Sequence, residues 1–451
     1  MRRDRRVGVG ALGLLGLIFL TVSGGPYGLE SLIGAVGARA GVLLILLVPL
    51  LWCLPIALMA AELSSALPKL GGYFEWVRES MGEFWGFQEG WWSWLFTWVD
   101  MPLYPALCGE LLRATWPILT GHALSNAHVL LFVLGFIVAG ALANCTGTKA
   151  VANYAVLAMA AVMAPFLVFV VVAWRLPAAP SAASSALGGG LDLSGWALGL
   201  GTLIWNYSGW DNVSTFAPAV ERPSRTYPRA LLAGVGLITL CYLVPVLAGL
   251  HMDAAASHWQ NGYFITLGAR ALGSRFGLLM SFTAVLSAWS QFTAQLPYVL
   301  PLPVSLARAG YLPPALGRMN RAGVAMPALA LCTAIYCVFA LATFASLVGA
   351  DVLLYSAGLT LELAALVKLR RRRAPSAGGF RVPGGGWGLA LVCALPLSLA
   401  AATLGFAIFQ EPRFTLVTLA MLATGPLAYA IASRARLRRG DRMRPAPVES
   451  A

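Results

Sequence analysis

The chain has 451 residues, 59% of them hydrophobic and 11% charged, with a formal net charge of +13. Soluble domains run at about 45–50% apolar and about 25% charged, so a soluble globular protein is excluded. The basic excess would suit nucleic acid, but its placement along the chain, given below, points to a membrane.

Apolar segments of roughly 20 residues, the length needed to cross a bilayer, are predicted at 8–36, 41–67, 84–114, 126–146, 148–175, 195–220, 227–250, 273–303, 325–346, 351–369, 387–410 and 413–434. Arg2-Arg3-Asp4-Arg5-Arg6 before an apolar run has the form of a signal peptide. The run continues through Ser23-Gly24-Gly25-Pro26 into Tyr27–Val36, so it is read as a first, interrupted span. Leu70–Gly82 carries Tyr73, Phe74, Trp76 and Val77 among charges and predicts an interfacial helix. Pro177–Gly195, rich in Ala, Ser and Gly, is an outer linker, and the sixth span behind it breaks at Asn206-Tyr207-Ser208-Gly209-Trp210-Asp211. His251–Ala271 is read as a connector rather than a lid. The last two spans form a plain hairpin.

The interrupted spans are the first of two sets of five, which divides the chain into a core at 8–370, with halves at about 8–175 and 195–370. Residues 387–434 are an added pair, and 1–7 and 435–451 are tails. Broken backbone cannot be satisfied by lipid and must line a protein-walled cavity. Two breaks at corresponding positions mark a transporter's central site. With both termini cytoplasmic, 25 of the 31 Lys and Arg fall on the inner side; Arg39, Arg113, Arg175, Arg270, Arg275 and Arg413 do not. This is the positive-inside bias of a multi-pass protein of the cell membrane. The runs Lys368–Arg373 and Arg434–Arg444 suit anionic lipid headgroups rather than nucleic acid. Cys53, Cys108, Cys145, Cys241, Cys332, Cys337 and Cys393 lie in or at the ends of spans, without CxxC spacing, and read as packing residues. The four histidines form no ligand cluster, so no metal or cofactor is expected beyond a proton or other coupling ion.

The breaks suggest the chemistry. The amides of Ser23, Gly24 and Gly25, with a new helix starting at Pro26, make an anion pole suited to a carboxylate. Carbonyls around Ile204–Asn206, left without partners, suit an ammonium group or a cation. The alternative is a proline kink with no ligand. Trp205 ends the first fragment of the sixth span, where its ring can close over a substrate; Trp98 and Trp289 are further pocket aromatics, with lipid anchoring or packing as their alternative. Intramembrane carboxylates default to function: Glu30, Glu62, Glu89, Asp100, Asp211 and Glu362. Asp100 is the deepest and the first choice for a protonatable or cation-binding group, with Glu89, Glu62 and Asp211 behind it. Asp211 can instead cap the second fragment of its span, with Ser214 three residues on. Glu62 and Glu362 can pair with Lys69 or Lys368 at the inner ends of their spans.

These residues carry a resemblance. Val22–Glu30, Ala61-Glu62-Leu63, Gly71-Gly72-Tyr73, Phe84–Gly90, Leu103-Tyr104-Pro105, Trp205–Asp211 and Leu361–Ala365, in this order, resemble the amino acid–polyamine–organocation superfamily. Within it the chain is most similar to plant-type polyamine permeases and L-type amino acid transporters. The resemblance implies an all-α membrane protein of 12 transmembrane helices: a LeuT-type 5+5 inverted repeat with discontinuous helices 1 and 6, plus two additional helices. It also implies alternating access with proton coupling or exchange. In that frame Ser23–Gly25 meet a substrate carboxylate, the backbone at Trp205, Asn206, Tyr207, Ser208 and Gly209 meets its amine, and the Trp205 ring gates it. The chain departs from many relatives in lacking a lysine mid-span 5; its only lysine there is Lys149 at the start. It also has Gln291 and Gln295, and no carboxylate, in span 8, where plant-type polyamine permeases are acidic.

A secondary transporter of amino acids or related organic amines is therefore expected, not an enzyme, with polyamine transport as the alternative. An amino acid is preferred because a polyamine needs two buried anions and no second deep carboxylate accompanies Asp100 in span 8. A channel would need a polar path, a membrane-embedded enzyme a His, Cys or Asp cluster, and a sensor a signalling domain; none is apparent.

Overall fold

The computed structural model describes residues 10–67, 72–145, 151–178, 193–214, 220–372, 379–410 and 412–438. Among them every regular element is helical. The first span is two helices, α1 (Ala11–Val22) and α2 (Glu30–Val36), parted by the expected break. The second is α3 (Ala38–Val48) and α4 (Leu54–Ala66), joined by a π-helical turn at Pro49–Cys53. Proline lacks an N–H and crowds the carbonyl four residues back. Pro49 thus frees the Ile45 carbonyl, which accepts the Tyr207 hydroxyl at 3.2 Å instead. The interfacial segment is α5 (Tyr73–Met81), and α6 (Glu83–Thr120) follows directly. Then come α7 (Asn126–Asn144), α8 (Val151–Ala173), α9 (Leu193–Asn206) and α10 (Pro223–Met252). The second half continues with α11 (Tyr263–Leu272), α12 (Ser274–Val299), α13 (Pro301–Arg308), α14 (Met326–Phe339) and α15 (Phe344–Arg372). The closing hairpin is α16 (Gly385–Gln410) and α17 (Pro412–Arg438). Lys69, Lys149 and most of the 177–195 linker lie outside the described residues.

Seven described helical stretches are long and apolar enough to cross a membrane: Ala38–Ala66, Asn126–Asn144, Tyr154–Ala173, Pro223–Met252, Phe344–Arg372, Gly385–Phe409 and Thr415–Arg436. The other expected spans differ for a physical reason. Helices α1 and α14 are apolar but short, and α9 stops at its break. Helices α6 and α12 are long but bury Glu89, Asp100, Ser287, Gln291 and Gln295. Polar groups inside and apolar groups outside is the pattern lipid imposes: Leu131, Leu157, Leu167, Phe282, Val338 and Leu427 are each at least 64% exposed. Inside, α6 packs against α15 and α12, α1 against α8, α10 and α12, and α9 against α2 and α15. This places both breaks between α6, α12 and α15.

The 253–262 connector is more built than a plain loop. It holds a turn of 3-10 helix at Ala256–His258 and leads into α11. Its Gly262 amide donates to Glu30 Oε1 at 3.2 Å, and its Asn261 amide group donates to Glu110 Oε2 at 2.5 Å, which ties it to α2 and α6. Asp253 organises the loop's start. Burial works to raise its carboxyl pKa but is outweighed by hydrogen bonds from Tyr263, His258, the Ala255 amide and Arg270, and the carboxyl is held at about 2. A carboxyl depressed in the folded state stabilises above its unfolded value, near 3.9, and loses that contribution as pH falls toward its folded value. Amide protection factors in 253–263, taken against the intrinsic rate at each pH, should therefore hold at pH 5 and fall between about pH 4 and pH 2. Asp253→Asn should show the low protection throughout.

Glu62 is fixed at the end of α4 by Arg370 of α15, with Nε at 2.6 Å and Nη2 at 2.5 Å, and by the Val382 amide at 2.7 Å. The expected partners were Lys69 and Lys368; Arg370 takes the place because its planar fork matches a carboxylate bidentately. Glu62 is thereby a structural clamp rather than a free cation site. Both side chains are nearly buried, so Arg370→Ala should cost about 3–5 kcal/mol by stranding a charge. Arg78→Ala, which breaks the more exposed Glu75 pair, should cost less than about 1 kcal/mol. Thermal unfolding in detergent compares the two.

Candidate functional site

The second break touches the last turn of α1, next to the first break. Gly209 has φ +99°, and a Cβ there would stand 2.7 Å from the Thr21 carbonyl oxygen, so only glycine fits this contact. Around it lies a central cavity whose lining includes Gly24, Asp100, Tyr104, Trp205, Ser208 and Gln291. Asn206, Gly209 and Phe96 also line it. Of the first-break trio, Gly24 alone is in the lining. Its carbonyl accepts the Ser287 hydroxyl at 2.5 Å, and a Cβ on it would meet Gln291 Nε2 at 1.9 Å.

Two of the three amides of the expected anion pole are already engaged. The Ser23 amide donates to Phe19 O at 2.7 Å, and the Gly25 amide donates to Ser23 Oγ at 3.1 Å. Helix α2 starts at Glu30 rather than at Pro26. The buried Glu30 carboxylate sits at that start and accepts from the Gly28 amide at 2.7 Å as well as from Gly262. The positive end of α2 is thus answered by the chain's own anion. The carbonyls of the second break have partners too. Asn206 O accepts from the Tyr242 hydroxyl at 2.7 Å, and Tyr207 O accepts from Trp210 Nε1 at 2.7 Å. Ile204 O accepts from Ser208 Oγ at 2.8 Å. Tyr207 is fully buried with its hydroxyl on Ile45 and its ring against Tyr242, outside the cavity lining.

Carboxylates and aromatics therefore give the cavity its chemistry. Asp100 Oδ1 accepts from the Tyr104 hydroxyl at 3.1 Å and from Trp205 Nε1 at 3.4 Å. Gln295 in turn donates to the Tyr104 oxygen. The Trp205 ring lies between Tyr104 and Phe344, at 6.0 and 5.4 Å centroid distances. A second carboxylate stands close by. Asp351 of α15 is fully buried, its two oxygens have no hydrogen-bond partner, and it lies within the electrostatic reach of Asp100.

Sequence reasoning missed Asp351 because it placed the residue at a span's mouth. Helix α15 begins at Phe344, two turns earlier, and carries it inside. The apolar run Phe344–Ala350 beforehand was the available signal. Trp98 and Trp289 are not cavity residues: Trp98 packs on Trp94 and Phe339, and Trp289 on Phe136 beside an apolar surface groove. Phe96, unremarked in the sequence, lines the cavity instead. Asp211 does not act as a plain cap; it accepts the Tyr355 hydroxyl at 2.5 Å. Together with Glu89 and Glu362 it forms a separate buried group.

The sequence pattern of the amino acid permease family matches residues 12–431. The chain belongs to the amino acid permease family. It is a multi-pass membrane protein of the amino acid–polyamine–organocation superfamily, and its family and relatives are transporters of small molecules. It is 31% identical over 422 residues to the polyamine transporter PUT1 of Oryza sativa subsp. japonica, covering 92% of this chain and 76% of that protein. It is 32% identical over 417 residues to the polyamine transporter RMV1 of Arabidopsis thaliana, covering 92% of this chain and 83% of that protein. In this permease-family chain, Gly24→Leu should reduce transport more than tenfold while the protein stays folded in the membrane. The side chain would fill the space of Gln291 and Ser287 at the cavity wall. Uptake together with a detergent size-exclusion profile checks it; normal uptake by folded Gly24→Leu would make the break a kink only.

Proposed function

We propose that the chain is a secondary transporter of polyamines, working by alternating access. The observation that carries this reading is the pair Asp100, in the cavity wall, and Asp351, fully buried and within its electrostatic reach. A desolvated ammonium must be paired, and a diamine brings one for each. An isolated buried carboxylate such as Asp351 is costly without a cation or a proton, and a dicationic substrate removes that cost. The occupied amides at Ser23 and Gly25, with Glu30 at the start of α2, favour the same substrate, because an amino acid's carboxylate has less left to bind. The names of the two relatives agree.

The second reading is an amino acid. It is favoured by the family's name and by Gly24 at the cavity wall. In the polyamine reading Asp100 and Asp351 hold the ammonium groups, Trp205 and Phe96 cover the methylene chain, and Asn206, Ser208 and Gly209 form the polar side of the site. A 5+5 inverted-repeat core at 8–370, halves at about 8–175 and 195–370, the 387–434 hairpin and cytoplasmic termini complete the proposal. It is supported by the paired breaks and the charge asymmetry.

The test is uptake into proteoliposomes. Excess putrescine or spermidine should block labelled putrescine uptake at concentrations where leucine and arginine do not. Asp351→Asn should lower uptake at least tenfold. Competition by amino acids but not by diamines would give the site to the second reading.

A further inference from the structure

A second polar cavity adjoins the first, with Phe96 and Asn212 lining both. Its other walls include Tyr73, Ser93, Asp211, Tyr355, Gly358 and Glu362. Three carboxylates from three elements meet here. Glu89 of α6 is fully buried; its Oε1 accepts the Ser93 hydroxyl at 2.9 Å and its Oε2 has no partner. It lies over Gly358, 3.2 Å from where a Cβ would stand. Asp211, at the end of the second break, lines the same cavity as Glu362 of α15, whose Oε2 is buried and unpartnered. Ionised carboxylates only accept hydrogen bonds. Two of them buried at one cavity resist being ionised together, and a shared proton relieves that.

No cation compensates the group. Helix α5 contributes Tyr73, α6 Ser93 and Phe96, with Glu89 behind Ser93, and α15 Tyr355 and Glu362; no Lys, Arg or His lines the cavity among the described residues. On α4 the acidic side chain, Glu62, is committed to Arg370. Helices α16 and α17 add no charged or titratable lining residue. Among the described residues no cluster is arranged to hold a metal ion, so a proton is the cation that fits.

The group is wired to the second break. The Tyr355 hydroxyl donates to Asp211 Oδ1 and accepts from the Gly209 amide at 3.4 Å. Gly209 is the residue that touches the last turn of α1 and lines the central cavity. We propose that Glu89, Asp211 and Glu362 form the proton site that couples substrate movement to a proton gradient, with Tyr355 linking it to the break. This rests on the transport reading, not on the choice of substrate.

In the present conformation one proton is held between Asp211 and Glu362. When it leaves, the O–H bond breaks, the proton passes to water on the side then open, and two carboxylates remain face to face. Their repulsion is relieved by drawing Asp211 and its break away from α15. Uptake of one proton from the opposite side restores the shared proton. Tyr355 and Gly209 keep their own protons throughout.

The test has two arms on the full chain. In the purified protein at neutral pH, the infrared carbonyl band of protonated carboxyls should lose intensity in Glu362→Gln and in Asp211→Asn, and not in Glu75→Gln, whose carboxylate pairs with Arg78 at the surface. In proteoliposomes with the membrane potential clamped at zero, a gradient of one pH unit supports up to about tenfold accumulation for one proton per substrate. Wild type should accumulate labelled putrescine accordingly. Glu362→Gln, which leaves the central cavity intact, should equilibrate putrescine without accumulating it. An unchanged carbonyl band in both carboxyl variants, or tenfold accumulation by Glu362→Gln, overturns the proposal. If wild-type vesicles carry no putrescine, the polyamine reading fails, and the infrared arm still decides the proton site.

Discussion

A backbone polar group freed inside a membrane must find a partner, and the whole centre of this protein is arranged around that constraint. Both breaks release carbonyls and amides, and leaving one buried and unmade costs about 1–3 kcal/mol. Phenols and indoles from neighbouring helices meet much of the demand. Tyr242 takes the Asn206 carbonyl, Trp210 that of Tyr207, Tyr227 that of Val213, and Tyr207 the one that Pro49 frees on α3. Three of these donors reach across from another element, and Trp210 closes on Tyr207 three residues away in the same break, so tertiary contacts and a local turn hold the breaks together. What remains open at the cavity is then set by geometry rather than by a surplus of unsatisfied backbone.

The carboxylates divide in the same way. Glu30 is spent on backbone amides, and Glu62 on Arg370. Asp100 has only neutral donors, Tyr104 and Trp205, and Asp351 has none. Glu89, Asp211 and Glu362 have hydroxyls and each other. The first two are structural because their partners are fixed donors. Among the described residues the other five have no fixed cation, and the proposed reading divides them into a substrate pair and a proton group one cavity further along. Phe96 and Asn212 stand on the wall between them.

The architecture was legible in the sequence where one residue type has one physical meaning. Gly and Pro inside apolar runs gave both breaks, and apolar length gave most helices. The site was less legible. Gly24, Trp205 and Asp100 lie where the motifs place them, but the substrate inference went toward an amino acid for want of a second deep carboxylate. Asp351 was present; its depth depends on where α15 starts, which Thr343 marks by accepting the Ser346 amide at 3.3 Å, a cap that the reading of the spans passed over. The engagement of part of the anion pole was hidden for a related reason. Glu30 is close in sequence to the break, yet only the fold turns its carboxylate back onto Gly28 and brings Gly262 to it. Tryptophans misled as well, because a ring on a long helix looks alike from sequence whether it faces a cavity, as Trp205 does, or a neighbour, as Trp98 does.

The central claim is that Asp100 and Asp351 each hold one ammonium of a single substrate. Equilibrium binding of putrescine and of butylamine, its one-amine counterpart of equal chain length, to the purified protein tests it most directly. A hydrogen bond to a charged group contributes about 1.5–3 kcal/mol, or roughly 10- to 150-fold in affinity. Putrescine should therefore bind at least tenfold tighter than butylamine to wild type, and Asp351→Asn should erase the difference while leaving butylamine binding unchanged. Equal affinities for the two amines in wild type, or a preference that survives Asp351→Asn, would contradict the account.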